Sequence, residues 1–306
     1  KILEQVNSVI IGKEAVTEKV LMAVLAQGHV LLEDVPGVGK TTMALAFART
    51  LGLDSRRVQF TSDTMPSDII GFSLYNKETG RFDYKSGAVM TNLLLADEIN
   101  RTSSKTQSAL LEAMEEYQVT VDGHTYPLPK PFVVLATQNP VGSAGTQLLP
   151  SSQLDRFMIR TTMGYPDRQS QVDILRERHH ENPLDRLQGV VTCEELLELI
   201  ESAKQVHIAD AVYDYIVDLV DATRSSELVE LGVSPRGALA LCRMAKAHAF
   251  VRGGDFVTPE DVYQVFDDVC AHRLVLSAKA RLGKITAREI TEQLRQQVPV
   301  PQVAQL

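Results

Sequence analysis

The sequence predicts an α/β fold: a parallel sheet flanked by helices, followed by a small all-helical domain. Three observations carry that reading. A strand-like run, His29-Val30-Leu31-Leu32-Glu33, breaks at a glycine loop and turns at once into the helical pattern Met43-Ala44-Leu45-Ala46-Phe47-Ala48. Two later runs, Leu93-Leu94-Leu95-Ala96 and Phe132-Val133-Val134-Leu135-Ala136, are apolar throughout, as strands covered on both faces must be. Beyond Tyr165-Pro166-Asp167 strand character stops and helical periodicity takes over. The domains are therefore expected over residues 1–165 and 166–306.

The bulk numbers bound the possibilities. A chain of 306 residues holds one large or two ordinary domains with ample material for cores. Its net charge of −8, with both signs mixed along the chain, argues against binding nucleic acid through a general basic surface, though a local basic channel stays open. No apolar stretch approaches a membrane span, and the first residues do not resemble a secretory signal. Cys193, Cys242 and Cys270 are widely spaced with no metal-like pairing, as free thiols of a reducing compartment would be. A cytoplasmic protein is expected, with no membrane insertion.

In chain order, residues 2–27 read as helical, interrupted by the apolar elbow Val9-Ile10-Ile11-Gly12-Lys13. Two readings of the elbow stand open: a flat support for an adenine ring, or a turn that covers the core. The loop after His29–Glu33 is Asp34-Val35-Pro36-Gly37-Val38-Gly39-Lys40-Thr41-Thr42. Strand, glycine loop and helix in that order have the layout of a phosphate-binding loop, with an ordinary glycine-rich strand-to-helix turn as the alternative. Gly37 and Gly39 let backbone N–H groups turn toward a phosphate, and the following helix N-terminus adds its own. Lys40 supplies a point charge for β- and γ-phosphates, and Thr41 a hydroxyl for Mg²⁺. Pro36, Gly37, Val38, Gly39, Lys40, Thr41 and Thr42, with Ile11 and Gly12 of the elbow, are the expected nucleotide contacts. The loop departs from the usual pattern at Asp34, which stands where a glycine is expected; tolerance of Asp for unusual backbone angles would explain it.

Next come a short strand at 57–61, a short helix from Ser67, and a hairpin over 72–87 with aromatic alternation about Asn76-Lys77-Glu78-Thr79-Gly80. That hairpin either touches a substrate or covers a flank. The run at 92–96 ends in Asp97-Glu98. Ligands of open α/β sheets sit at the carboxyl ends of strands, where these carboxylates emerge. Asp97 suits a Mg²⁺ shell, and Glu98 is placed to polarise an attacking water. A helix over 104–116 and a hairpin about Asp122-Gly123 follow. The strand at 132–137 then delivers Asn139 beside the carboxylates, able to hold the water or a γ-phosphate oxygen.

An arginine within Gln153-Leu154-Asp155-Arg156-Phe157-Met158-Ile159-Arg160 is either a surface ion pair or a finger reaching a neighbouring subunit's nucleotide. Helices are expected at 168–181, 193–204, 209–224, 235–252, 259–274 and 286–297. Ser234-Pro235 starts one of them, and Arg236 in its first turn opposes the helix dipole unless a phosphate is bound there. No role is assigned to the histidines, His179-His180 included.

Taken together, residues 31–41, 93–101, 105–114, 135–140, 153–157 and 234–236 resemble the MoxR family of AAA+ ATPases, and the likeness spans almost the whole chain. The resemblance implies an AAA+ core followed by a helical lid. It implies that Lys40 and Thr41 are Walker A residues, Asp97 and Glu98 the Walker B pair, Asn139 sensor 1, Arg156 the arginine finger and Arg236 sensor 2, with Arg160 a second finger candidate. Asp34 is a substitution this family shows; Val141 and Gln147-Leu148 depart from its usual loop. The implied activity is chaperone-like: ATP hydrolysis to ADP and phosphate, with Mg²⁺, driving assembly or activation of a protein client. The implied assembly is a hexameric ring, with a von Willebrand A-domain protein as partner. A slowly cycling nucleotide switch and a DNA-handling motor are the alternatives; the acidic balance disfavours the motor and nucleic acid as a partner.

Overall fold

The computed structural model describes residues 1–34, 37–139, 149–177 and 183–301. Contacts divide the chain into two compact units. One comprises Lys1–Leu21, His29–Leu149 and Thr161–Leu197, the other Met22–Gly28, Pro150–Arg160 and Glu198–Leu306.

In chain order the strands are β1 (Val30–Glu33), β2 (Ser55–Gln59), β3 (Gly71–Asn76), β4 (Arg81–Ser86), β5 (Leu93–Asp97), β6 (Gln118–Val121), β7 (His124–Pro127), β8 (Val133–Gln138), β9 (Ile159–Thr161), β10 (Val229–Leu231) and β11 (Val275–Leu276). The main sheet has the order β2-β5-β8-β1-β9. β5 pairs parallel with β2 and with β8, and β8 parallel with β1. Glu33 stands opposite Gln138, Gln59 opposite Asp97 and Ala96 opposite Ala136, so four strands finish at one end of the sheet. That register puts the loop after β1 and the polar residues after β5 and β8 side by side.

The apolar runs are buried as their composition requires: Leu31, Leu32, Leu94, Val134 and Leu135 are all 0% exposed. The helix Lys40–Thr50 buries Met43, Ala44 and Phe47. Cutting any of these leucines back to Ala would cost about 2–5 kcal/mol, because the sheet cannot close on the void.

Both hairpins form. Asp122 and Gly123 take φ of 49° and 79°, the pair of left-handed residues a two-residue turn between antiparallel strands favours. In the β3–β4 hairpin, Asn76 Oδ1 accepts the Glu78 and Thr79 N–H groups at 2.9 and 3.2 Å and rounds the turn. Tyr84 stacks on Tyr126 at 3.9 Å between centroids and joins the hairpins, while Phe72, Leu74, Tyr75 and Phe82 remain exposed. The second strand lies two residues earlier than its apolar content suggests, at Ser55–Gln59.

His29, given no role from sequence, is a structural pin. Its ring is buried just before β1; Nε2 donates to the Met114 carbonyl, and Nδ1 accepts the Val134 N–H, both at 3.0 Å. The helix Ser104–Glu116 is thereby tied to β8.

In the second unit, Ser234, Thr258 and Thr286 each accept the N–H three residues on and so start the helices Pro235–Val251, Pro259–Cys270 and Ala287–Gln297. Amid the helices, β10 pairs antiparallel with β11. Strands of three and two residues are too short for alternation to betray them in a sequence. Among the described residues no helix is long and apolar enough to cross a membrane. His179-His180 and the segment at 140–148 lie outside the described residues.

Candidate nucleotide site

Pro36 lies outside the described residues; Gly37 and Gly39 have φ of 87° and 99°, a region that favours glycine. Neither is crowded, a Cβ on Gly39 meeting only Met163 Cε at 3.8 Å, so conformation rather than space requires them. Gly39 is the N-cap of the helix Lys40–Thr50, whose first residues are Lys40, Thr41 and Thr42. Val38, Thr41 and Thr42 are half-buried, Lys40 fully so.

Lys40 Nζ donates to the Asp34 carbonyl at 2.9 Å. Burial lowers its ammonium pKa, opposed by the charges of Asp34, Asp97 and Glu98. The charges of all three carboxylates thus act on the lysine, whose own hydrogen bond goes to the Asp34 backbone.

Asp34 corrects the expectation that it survives by adopting unusual backbone angles: it is not among the residues with positive φ. Its value lies in the side chain. The buried carboxylate accepts the N–H groups of Met163 and of Gly164, the latter at 3.0 Å, and anchors the loop to a segment about 130 residues away. A glycine there could make neither bond.

At the ends of β5 and β8 the polar groups form a closed set. Thr137 Oγ1 donates to Asp97 Oδ1 at 2.6 Å and accepts the Glu98 N–H at 2.9 Å. Arg57, from β2, donates to Asp97 Oδ2 at 2.8 Å. Glu98 sits in the left-handed region (φ 58°, ψ 48°), which costs a non-glycine residue about 1–3 kcal/mol. Its Oε1 accepts from Asn139 Nδ2 at 3.2 Å and its Oε2 from Arg101 at 2.6 Å. Burial pushes the Glu98 carboxyl up, but hydrogen bonds from Arg101 and Asn139 and the Arg101 charge outweigh it and hold the pKa below its ordinary value.

Asn139 is itself fixed through its backbone. Its N–H donates to Asn100 Oδ1 at 3.4 Å and its carbonyl accepts from Asn100 Nδ2 at 3.3 Å. Among the described residues, the Asn139 Oδ1 atom is buried without a hydrogen-bond partner. A buried amide oxygen left without a donor costs about 1–3 kcal/mol.

The groups expected to hold a cation, the Asp97 carboxylate and the Thr41 hydroxyl, offer the hard oxygen atoms Mg²⁺ prefers. The set fits that ion and not a soft metal. No cluster of three His, Cys, Asp or Glu residues able to hold a metal occurs among the described residues.

The elbow belongs to the same unit. Val9 and Ile10 are buried, Ile11 and Gly12 half-buried. Gly12 has φ of 70°, and a Cβ there would meet Ser170 Oγ at 2.1 Å. Lys13 Nζ donates to the Tyr165 carbonyl at 2.9 Å. The elbow is thus pressed onto residues 165–170.

Arg156, Arg160 and Arg236 all fall in the second unit. Arg156 follows Asp155, the residue that closes the short helix Ser151–Leu154. Arg236 is exposed in the first turn of the helix Pro235–Val251, where Ser234 and Pro235 stand as the sequence indicates.

Residues 29–159 match the ATPase family associated with various cellular activities (AAA), and residues 221–294 the AAA lid domain. The chain is 46% identical over 301 residues to Bacillus subtilis YeaC, covering 98% of this chain and 94% of that protein. It is 41% identical over 308 residues to Chaperone MoxR1 of Mycobacterium tuberculosis, covering 98% of this chain and 81% of the relative. The chain belongs to the MoxR family of AAA+ ATPases. A crystal structure of a protein from Cytophaga hutchinsonii superposes with a TM-score of 0.91 at 39% identity, covering 98% of this chain and 94% of that one.

Within this MoxR-family chain, sequence reasoning misses Arg57, Thr137, Asn100 and Arg101 as members of the site. Arg101 and Asn100 have a signal, since both lie in the run Asp97-Glu98-Ile99-Asn100-Arg101. Thr137 has a weaker one, as a hydroxyl inside an otherwise apolar strand. Arg57 has none.

Proposed function

We propose that this MoxR-family protein hydrolyses ATP to ADP and phosphate and uses the cycle for chaperone-like remodelling, assembly or activation of a partner protein complex. The observation that carries the reading is the convergence of Lys40, Asp97, Glu98 and Asn139 at one end of the sheet. Backbone N–H groups from Gly37 to Thr42 and the Lys40 ammonium would cradle the phosphates. Thr41 and Asp97 would hold Mg²⁺, which when bound neutralises charge on the β- and γ-phosphate oxygens. Ile11 and Gly12 would face the adenine. Glu98 takes a proton from a water oriented with help from Asn139 as that water attacks the γ-phosphorus. The bond to the β–γ bridging oxygen breaks, leaving ADP and phosphate.

Arg156 is assigned as the finger offered to a neighbouring subunit and Arg236 as the lid's phosphate sensor, with Arg160 the alternative finger. A shared site favours a head-to-tail ring, and a hexamer is the proposed form. A protein client is supported by the chaperone named among the relatives. A von Willebrand A-domain partner follows from the family resemblance, and a cytoplasmic location from the widely spaced cysteines read as free thiols.

A second reading, a slowly cycling nucleotide switch, has one specific support. Both Glu98 oxygens are engaged, by Asn139 and Arg101, which leaves the carboxylate a weak base. The deciding experiment is ATPase rate per subunit against protein concentration, with mass by light scattering with and without Mg-ATP. A specific rate that climbs as a ring assembles supports the shared-site ATPase. A flat rate from a monomer overturns it and puts the switch first.

A further inference from the structure

Arg273 is an arginine with a side chain only 2% exposed, and all of its nitrogens are engaged. Nε donates to Asp155 Oδ1 at 2.8 Å. Nη2 donates to the carbonyls of Asp155 and Phe157 at 3.2 and 2.7 Å, and Nη1 to that of Met158 at 3.2 Å and to that of Val269. One guanidinium therefore holds the chain on both sides of Arg156.

The same side chain meets the start of the helix that carries Arg236. A Cβ on Gly237 would stand 2.8 Å from Arg273 Cδ and 3.1 Å from its Nε, so the first turn lies directly on the arginine. Asp155 closes the circuit. Its second oxygen, Oδ2, accepts from the hydroxyl of Ser234 at 3.0 Å, and Ser234 caps that helix by accepting the Gly237 N–H at 3.1 Å.

Stability alone is a poor account of this arrangement. A buried ion pair is often no better than apolar residues of the same volume, because desolvation offsets the attraction. What a fully bonded guanidinium supplies is fixed geometry. We infer that Arg273, with Asp155 and Ser234, is a positioning hub that locks Arg156 and Arg236 to one another, so that neither moves without the other. The inference rests on the assignment of those two arginines to nucleotide chemistry above. In a head-to-tail ring the hub links the arginine that answers to a subunit's own nucleotide with the one it offers its neighbour, and so makes ATP turnover cooperative.

The test uses Ser234→Ala, which removes the Asp155 link and leaves both arginines in place, with Asp155→Asn and Arg273→Lys as second variants and Arg156→Ala and Arg236→Ala as references. Turnover against ATP concentration, binding of a fluorescent ATP analogue and the thermal midpoint are read for each. Ser234→Ala is expected to lower kcat about tenfold and to bring the Hill coefficient toward unity, the scale of coupling lost along such networks. Analogue affinity should stay within about twofold, a split that general destabilisation would not produce. Ser234→Thr, which keeps the hydroxyl, should restore both kcat and the Hill coefficient. In the residual activity of Arg156→Ala, Ser234→Ala should add nothing.

Loss of turnover in Arg156→Ala and Arg236→Ala, with wild-type kcat and cooperativity in Ser234→Ala, Asp155→Asn and Arg273→Lys, would overturn the hub alone. Unchanged turnover in both reference variants would instead overturn the assignment of the two arginines, and the hub with it.

Discussion

Thr137 and Asp97 are joined by a 2.6 Å hydrogen bond, and the hydroxyl that donates it accepts the Glu98 N–H at 2.9 Å. One side chain from β8 thus aligns the carboxylate assigned to the metal and the backbone of the residue assigned to the water. Thr137→Val keeps the shape and removes the hydroxyl, leaving a buried carboxylate oxygen and an N–H without it. A loss of about 1–3 kcal/mol in unfolding free energy is expected, with kcat falling more than analogue affinity. Chemical denaturation and steady-state kinetics read the two effects; Thr137→Ser should recover most of both.

Arg101 holds Glu98 at 2.6 Å and contributes to keeping its carboxyl below the ordinary value. Arg101→Gln is expected to raise the Glu98 pKa, so the acid limb of the kcat–pH profile moves to higher pH. Basal turnover near neutrality should rise a few-fold, since a stronger base accepts the water's proton more readily. An unmoved acid limb would show that Glu98 is not the titrating base.

Lys40→Ala and Glu98→Gln separate binding from chemistry. The first removes the buried cation facing Asp34, Asp97 and Glu98, and ATP analogue binding should be lost. The second keeps the size of the side chain and one of its two acceptors without the base; ATP should stay bound while turnover drops about 10²-fold or more. Wild-type affinity in the first, or wild-type turnover in the second, would contradict the respective roles.

His29 makes stability depend on pH. Burial pushes its imidazole pKa down to about 4, against 6.5 for an exposed ring, and the Met114 hydrogen bond only partly opposes this. Because the unfolded chain takes up the proton first, the contribution is complete above about pH 6.5 and is lost as pH falls toward about 4. The loss sums to roughly 3 kcal/mol by linkage. His29→Gln should be less stable at neutrality yet lack this part of the slope. Parallel stability–pH curves for the two proteins between pH 6.5 and 4 would refute the assignment.

Much of the site is legible in the amino-acid order alone. The glycine loop, the acid pair at the end of an apolar run and Asn139 after the next run each carry a local signature of chemistry attached to a strand end. Asp34 shows where such reading fails. A deviation from a loop pattern suggests permissive backbone angles, whereas its carboxylate anchors the loop to Met163 and Gly164. Arg57 has no signature at all, since an arginine on an exposed edge strand resembles any solvated residue until the register sets it beside Asp97.

By itself, then, the sequence determined the elements whose causes are local: continuous apolar strands, the left-handed glycines of the loop, the Asp-Gly turn and the Ser-Pro helix start. Only the tertiary structure decided which polar groups meet. Asp97 finds Arg57 and Thr137 each 40 positions away, and Asp155 finds Ser234 and Arg273 at 79 and 118. The reason is physical. Apolar periodicity records whether a face is buried, but a hydrogen bond depends on strand register and side-chain direction to within a fraction of an ångström, and these are set only when the elements pack.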